Sequence, residues 1–270
     1  METNIDWSNV SDVGGGSAEY LPDLLKELET SRDREILDVL WERLYHQGSV
    51  FSASFAALPD IVRIAEQWDY CSERANLIWL AVEIISGEDI ANLRRPGQEQ
   101  DNSTPTSTRI DSGSPTRSRY QKEIDTLVRL IEEDLQQPNL SRMDFTHLLC
   151  NMLPLKGYVL WKDVFEYFGY EWVGYYGYCS HCDAEIDVYT TEHSAIAEIK
   201  KSRTEKQQTT LQAISPESLT GIVRWLYDTA KDRGMNSVAQ KVTYMMGTGS
   251  CPECGTLFQV PELMGFNDLY

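Results

Sequence analysis

Apolar residues recur at helical spacing through most of the chain. In "SRDREILDVLWERLYHQG", Ile36, Leu37, Leu40, Trp41 and Leu44 form one stripe, which predicts a helix stopped by Gly48. Ser52 opens the next stripe, with Phe55, Leu58, Val62 and Ala65 on one side. Pro59 lies inside it and is expected to kink or reset the helix near Leu58. "SERANLIWLAVEIISG" reads as a third helix, with Ser72 as cap and Gly87 as stop. After a break, Ile124, Leu127, Val128, Ile131 and Leu135 give a fourth stripe, and "SRMDFTHLLCNML" and "LWKDVFEYFG" give two more helices. Amphipathic helices with short joints predict an antiparallel stack, with no exact repeat in the chain.

Two stretches interrupt the pattern. Residues 1–20 lack both a basic start and an apolar core, so they read as a loose acidic leader rather than a secretory signal. Residues 97–118, "GQEQDNSTPTSTRIDSGSPTRS", are rich in Ser, Thr, Pro, Gly and Asp, and Ile110 is their one aliphatic residue. Such a segment buries too little apolar surface to order itself, and it reads as a flexible linker between helical segments 21–96 and 119–172.

The chemistry is concentrated in the last third. "YCSHCDAEIDVY" and "SCPECGTLFQV" each hold a Cys-x-x-Cys turn followed by a short run of strand character. In such a turn the residue after the second cysteine adopts a left-handed backbone, which suits Gly255 and which Asp183 has to tolerate. Cys179, Cys182, Cys251 and Cys254 therefore read as the two halves of one closed, four-thiolate zinc site, the alternative being two unrelated thiol pairs. His181, between the first two cysteines, is a competing ligand or a solvent-facing turn residue, and Cys71 and Cys150 lie on apolar helix faces as core residues. Between the knuckles, "TEHSAIAEIKKSRTEKQQ" reads as an exposed helix. "SPESLTGIVRWLYDTAKDRG" reads as a helix capped by Ser215, with Leu219, Ile222, Val223, Leu226 and Ala230 as its stripe, and "NSVAQKVTYMMG" adds a short one. The expectation is a split zinc ribbon over 173–270 carrying a helical insertion at 190–247.

Composition narrows the function. The 270 residues hold 42 acidic and 24 basic side chains, a formal charge of −18. An acidic surface attracts basic partners and repels nucleic acid. No apolar run approaches the length of a membrane span, and a cytoplasmic, reducing compartment is expected. None of the four histidines pairs recognisably with a nucleophile. "GGG" at 14–16 lacks the lysine of a phosphate loop, and His46, at a helix end, is the best catalytic candidate, read more simply as a C-terminal cap. In "FEYFGYEWVGYYGYC", Phe165, Tyr167, Phe168, Tyr170, Trp172, Tyr175, Tyr176 and Tyr178 crowd together. Glu166, Tyr170, Glu171, Trp172, Tyr175 and Tyr176 are the candidates for partner contact, or the run glues helices to ribbon.

The stretches "LYHQGSVFSASFAALPDIVRIAEQ" and "IVRWLYDTAKDRGMNSVAQKVTYMMGTGSCPECGTLFQV" resemble the two ends of a group of bacterial HEAT-like proteins. Some members of that group resemble immunity proteins encoded beside polymorphic toxins. The resemblance implies a mainly α, HEAT-like stack ending in a split zinc ribbon. It also implies a non-enzymatic module that binds and occludes a cognate toxin, and a basic, nuclease-like toxin suits the charge. The alternative is a zinc-ribbon adaptor in a nucleic-acid or transcription-related complex. That reading relies on the short basic run of Lys200, Lys201, Arg203 and Lys206.

Overall fold

The computed structural model describes residues 5–93, 115–159, 161–162, 165, 175–190, 194–200 and 206–263, with the backbone alone at 88, 90–93, 115–116, 175 and 200. The described residues are mainly helical, with small antiparallel sheets. They fall into two compact units. One takes those within Met1–Glu99, Arg109–Asn139 and Asn151–Val159, and the other those within Leu140–Cys150 and Leu160–Tyr270.

The first unit is helical. Helices α1 (Leu21–Ser31) and α2 (Arg34–Leu44) bury one stripe each, and α2 is capped by Asp33, whose carboxylate accepts from the Glu35 N–H. α2 ends at Leu44, earlier than its pattern predicts. Strands β1 (Tyr45–His46) and β2 (Ser49–Val50) follow as a tight hairpin. Gln47 and Gly48 both have positive φ, 49° and 80°, so Gly48 serves a two-residue hairpin turn and not a helix stop. Helix α3 (Ser52–Gln67) runs through Pro59 without interruption. The lost hydrogen bond is outweighed because Ala57, Leu58, Ile61, Val62, Ile64 and Ala65 are all buried on either side of it.

Helix α4 (Ser72–Leu93) corrects a second expected stop, since it continues past Gly87. Its residues Leu77, Ile78, Leu80, Ala81, Val82, Ile84 and Ile85 are all buried, as expected of a helix with neighbours on several sides. Gly87 is there for space: a Cβ at this position would lie 2.8 Å from a methyl of Val50 on β2. Helix α5 (Pro115–Arg119) covers the end of the segment expected to be a linker. Its Arg117 is buried, pairs with Asp89 at 3.2 Å, and donates to the carbonyls of Pro154 and Leu155. Residues 97–114 of that segment lie outside the described residues. Helix α6 (Gln121–Asp134) buries Ile124, Leu127 and Ile131 of its predicted stripe, with Leu135 buried just past its end; Val128 is half-buried, and Leu130, outside the stripe, is buried.

Residues 11–20, expected to belong to a loose leader, form a folded turn. Asp12 is buried and accepts from the Gly14 and Gly16 N–H groups and the Tyr20 hydroxyl, while the Ser11 N–H donates to Ser52 Oγ on α3. The triple glycine thus lets the backbone wrap a carboxylate.

Helix α7 (Arg142–Leu155) contributes to both units. In the second, strands β3 (Tyr175–Tyr178), β4 (Glu185–Thr190), β5 (Ala195–Lys200) and β6 (Lys206–Thr210) form an antiparallel meander in chain order. The stretch 191–208 is expected to be helical, and its described residues 195–200 and 206–208 are strand. Ala195, Ala197 and Ile199 alternate inward with Ile186 and Val188 of β4, a period of two that a short Ala-rich stretch hides. Helices α8 (Gly221–Asp232) and α9 (Asn236–Met245) follow as a packed pair. Leu219, Ile222, Val223, Leu226 and Ala230 are buried as predicted, although α8 begins after Thr220 and Pro216–Ser218 form a separate short turn. Strands β7 (Thr248–Ser250) and β8 (Leu257–Gln259) and helix α10 (Val260–Leu263) close the described chain. Gln212 and Thr248 exchange both backbone hydrogen bonds, at 2.8 and 2.9 Å, and so join the meander to β7.

Candidate metal centre

Each cysteine pair sits in a turn that ends or starts a strand, and the two turns are built alike. In the first, the Cys179 N–H donates to the Ala184 carbonyl and the Asp183 N–H to the Cys179 carbonyl, at 2.9 and 3.0 Å. In the second, the Cys251 N–H donates to Thr256 and the Gly255 N–H to Cys251, at 2.8 and 2.9 Å. The residue after the second cysteine is left-handed in both, with φ 55° at Asp183 and 75° at Gly255, as the spacing predicts. Strands β3 and β4 diverge from the first turn, and β7 and β8 from the second.

This geometry converges the four sulfurs. The Sγ atoms of Cys179, Cys182, Cys251 and Cys254 all lie within 4.8 Å of one another. Two pairs, Cys179 with Cys254 and Cys182 with Cys251, are 3.7 Å apart. A disulfide holds its sulfurs at about 2.0 Å, so these are not disulfide contacts. A tetrahedron with metal–sulfur bonds of about 2.3 Å has edges of roughly 3.8 Å, which the two shorter separations match. The four residues come from both knuckles and can hold a metal ion between them.

Cys179 and Cys251 are buried, Cys182 is half-buried and Cys254 is exposed, so one side of the cluster reaches solvent. Hydrogen bonding to Thr256, side chain first and then backbone, pulls the Cys254 thiol down to about 6. Cys182 is pushed up to about 12: although the Ala184 backbone favours its thiolate, burial and hydrogen bonds with the other three cysteines override it. Thiolates held this close repel one another, which a cation between them relieves. Thr256 was not singled out in the sequence. Its position two residues after Cys254 is the signal that it follows the knuckle.

The other candidates are scattered. His181 is exposed on the first knuckle and His46 is exposed on β1. Cys150 is buried within α7, and Cys71 lies half-buried just before α4. Glu166, Tyr170, Glu171 and Trp172 lie outside the described residues, as do Tyr167, Phe168, Lys201 and Arg203. Phe165 is buried, Tyr175 is placed in β3 by its backbone, and Tyr176 is 58% exposed. Tyr178, named in the aromatic run but not among the contact candidates, is equally exposed. Lys206 of the basic run is exposed and pairs with the buried Glu198 at 2.9 Å. No described helix is long and apolar enough to cross a membrane. Comparison with known proteins found no matching family model, no matching curated protein and no matching solved structure.

Proposed function

We propose that the four thiolates hold one structural zinc ion and that the chain is a non-enzymatic module that captures a basic protein. In this reading the knuckles are the halves of a split zinc ribbon, and the helices of the first unit form a HEAT-like stack. Four sulfur ligands complete a tetrahedral zinc and leave no position for substrate, so the ion holds the fold together rather than reacting. The observation that carries the binding role is a pair of exposed tyrosines beside carboxylates, in a chain of net charge −18. Tyrosine gives large contact area at low entropic cost, and the acidic field speeds encounter with a cationic surface.

The resemblance to immunity proteins makes the partner a toxin, nuclease-like and basic, which this chain inhibits by covering its active surface. Co-expression with the product of the adjacent gene tests this. The expected result is a neighbour that is toxic alone and harmless beside this chain, with the two purified as a complex. A harmless neighbour, or toxicity unchanged by this chain, overturns the immunity role.

A further inference from the structure

From Tyr176 to Cys179, at the end of β3, exposed and buried positions alternate. Inward, a Cβ on Gly177 would lie 2.0 Å from the Leu263 carbonyl oxygen, and Cys179 belongs to the cysteine cluster. These two anchors set the register, so Tyr176 and Tyr178 stand on the outer face, each 58% exposed. Their rings meet edge to face, with centroids 6.3 Å apart. The pairing with β4 puts a carboxylate directly across from each: Asp187 opposite Tyr176, and Glu185 opposite Tyr178. The Tyr178 hydroxyl donates to Glu185 Oε2 at 3.4 Å. One strand further, Asp187 is matched with Glu198, which is already engaged by Lys206 and Gln208.

Two neighbouring exposed tyrosines on a twisted sheet have a chemical use. A guanidinium or ammonium group sits favourably over a tyrosine ring, and more so where a carboxylate is within reach of its N–H groups. Positions two apart on a strand are about 7 Å apart, the same interval as alternate side chains of an extended peptide. The rings flank Gly177 and precede Cys179, both fixed by packing or by the cysteine cluster, so little order is lost on binding. The same carboxylates repel phosphate, which excludes a nucleic acid from this face.

We propose that Tyr176, Tyr178, Glu185 and Asp187 form the docking face for an extended arginine- or lysine-rich segment of a protein partner. This rests on the reading of the chain as a binding protein, and it assigns that binding to the outer face of the meander. The two rings take alternate cationic side chains of the segment, and Glu185 and Asp187 accept their hydrogen bonds.

The test uses the full chain and a fluorescein-labelled alternating arginine–glycine decapeptide, with a glutamate–glycine decapeptide as control, read by fluorescence anisotropy. The wild type is expected to bind the basic peptide and not the acidic one. Tyr176→Ala with Tyr178→Ala weakens binding by about tenfold or more. Glu185→Gln with Asp187→Asn weakens it similarly and flattens its salt dependence, and this near-isosteric pair keeps the test decisive if the alanine variant misfolds. Glu27→Gln with Asp38→Asn, exposed acids of the helical unit, leaves binding unchanged. Unaltered affinity in both sheet variants overturns the assignment, as does equal binding of the two peptides. If the helical pair loses binding and the sheet variants keep it, this face is wrong while capture of a basic partner stands. If the wild type ignores the basic peptide yet neutralises its neighbour in co-expression, this face fails and the binding-protein reading survives.

Discussion

Asp134 shows how much one buried carboxyl depends on its surroundings. Its side chain is fully buried at the end of α6, with Arg74 Nη2 3.1 Å from Oδ1, and the same Nη2 lies 3.6 Å from Glu133 Oε2. Burial pushes its pKa up from 3.8 to about 6; Arg74 opposes this and Glu133 adds to it. The folded state therefore keeps a proton that the unfolded chain has released, and Asp134's contribution to stability is fully present below about pH 4 and lost as pH rises to about 6. Urea unfolding of wild type and Asp134→Asn across this range is expected to show the wild type losing ground to the variant as pH rises, and a constant difference would refute it. Cys251 makes the second case at this scale. It is 1% exposed and supplies one of four sulfurs, so Cys251→Ser is expected to lose the metal and unfold the C-terminal unit, whereas Cys150→Ser keeps about one equivalent by elemental analysis. Full metal retention in Cys251→Ser would sink the shared site.

At the scale of elements, glycine marks where one element crowds another. On β3, Gly177 faces the backbone carbonyl of Leu263 on α10, which cannot swing away. On α4, a Cβ at Gly87 would crowd the methyls of Val50, at 2.8 and 3.3 Å, with the Gly48 carbonyl at an ordinary 3.5 Å. Gly87→Ala also gains helix propensity of about 1 kcal/mol, which offsets part of the overpacking. The expected order follows: Gly177→Ala destabilises by about 3 kcal/mol or more, and Gly87→Ala by about 1 kcal/mol or less. Chemical denaturation of the two variants measures both, and the reverse order would show that these contacts do not set the spacing of the elements.

For the whole molecule the governing quantity is charge. A net −18 surrounds the chain with a field that reaches about 8 Å at physiological ionic strength and about 3 Å in 1 M salt. Association with a basic partner is expected to slow by at least about tenfold between low and high salt, with a much smaller change in dissociation. Stopped-flow mixing with the partner recovered by co-expression measures both rates. A salt effect carried by dissociation alone would place the charges inside the interface instead of around it.

What the sequence settled by itself was local. The stripes of α2, α3, α6 and α8 are legible because a helix bonds each residue to one four positions away, so its buried face recurs within a single short window. The knuckles are legible for the same reason: Gly255 and Asp183 take their left-handed backbone from a turn closed over six residues, and the matching spacing points to one shared site. Only the tertiary structure decided the rest. Whether Gly87 ends a helix or makes room within it depends on Val50, and whether Pro59 breaks α3 depends on what buries its flanks. Residues 195–200 and 206–210 became strands because β4 pairs with the first and the first with the second, and Arg117 folded the end of an apparent linker by reaching Asp89. In each instance the deciding partner is remote in the chain, and a rule of local spacing cannot see a hydrogen bond, a methyl group or a charge that only folding brings near.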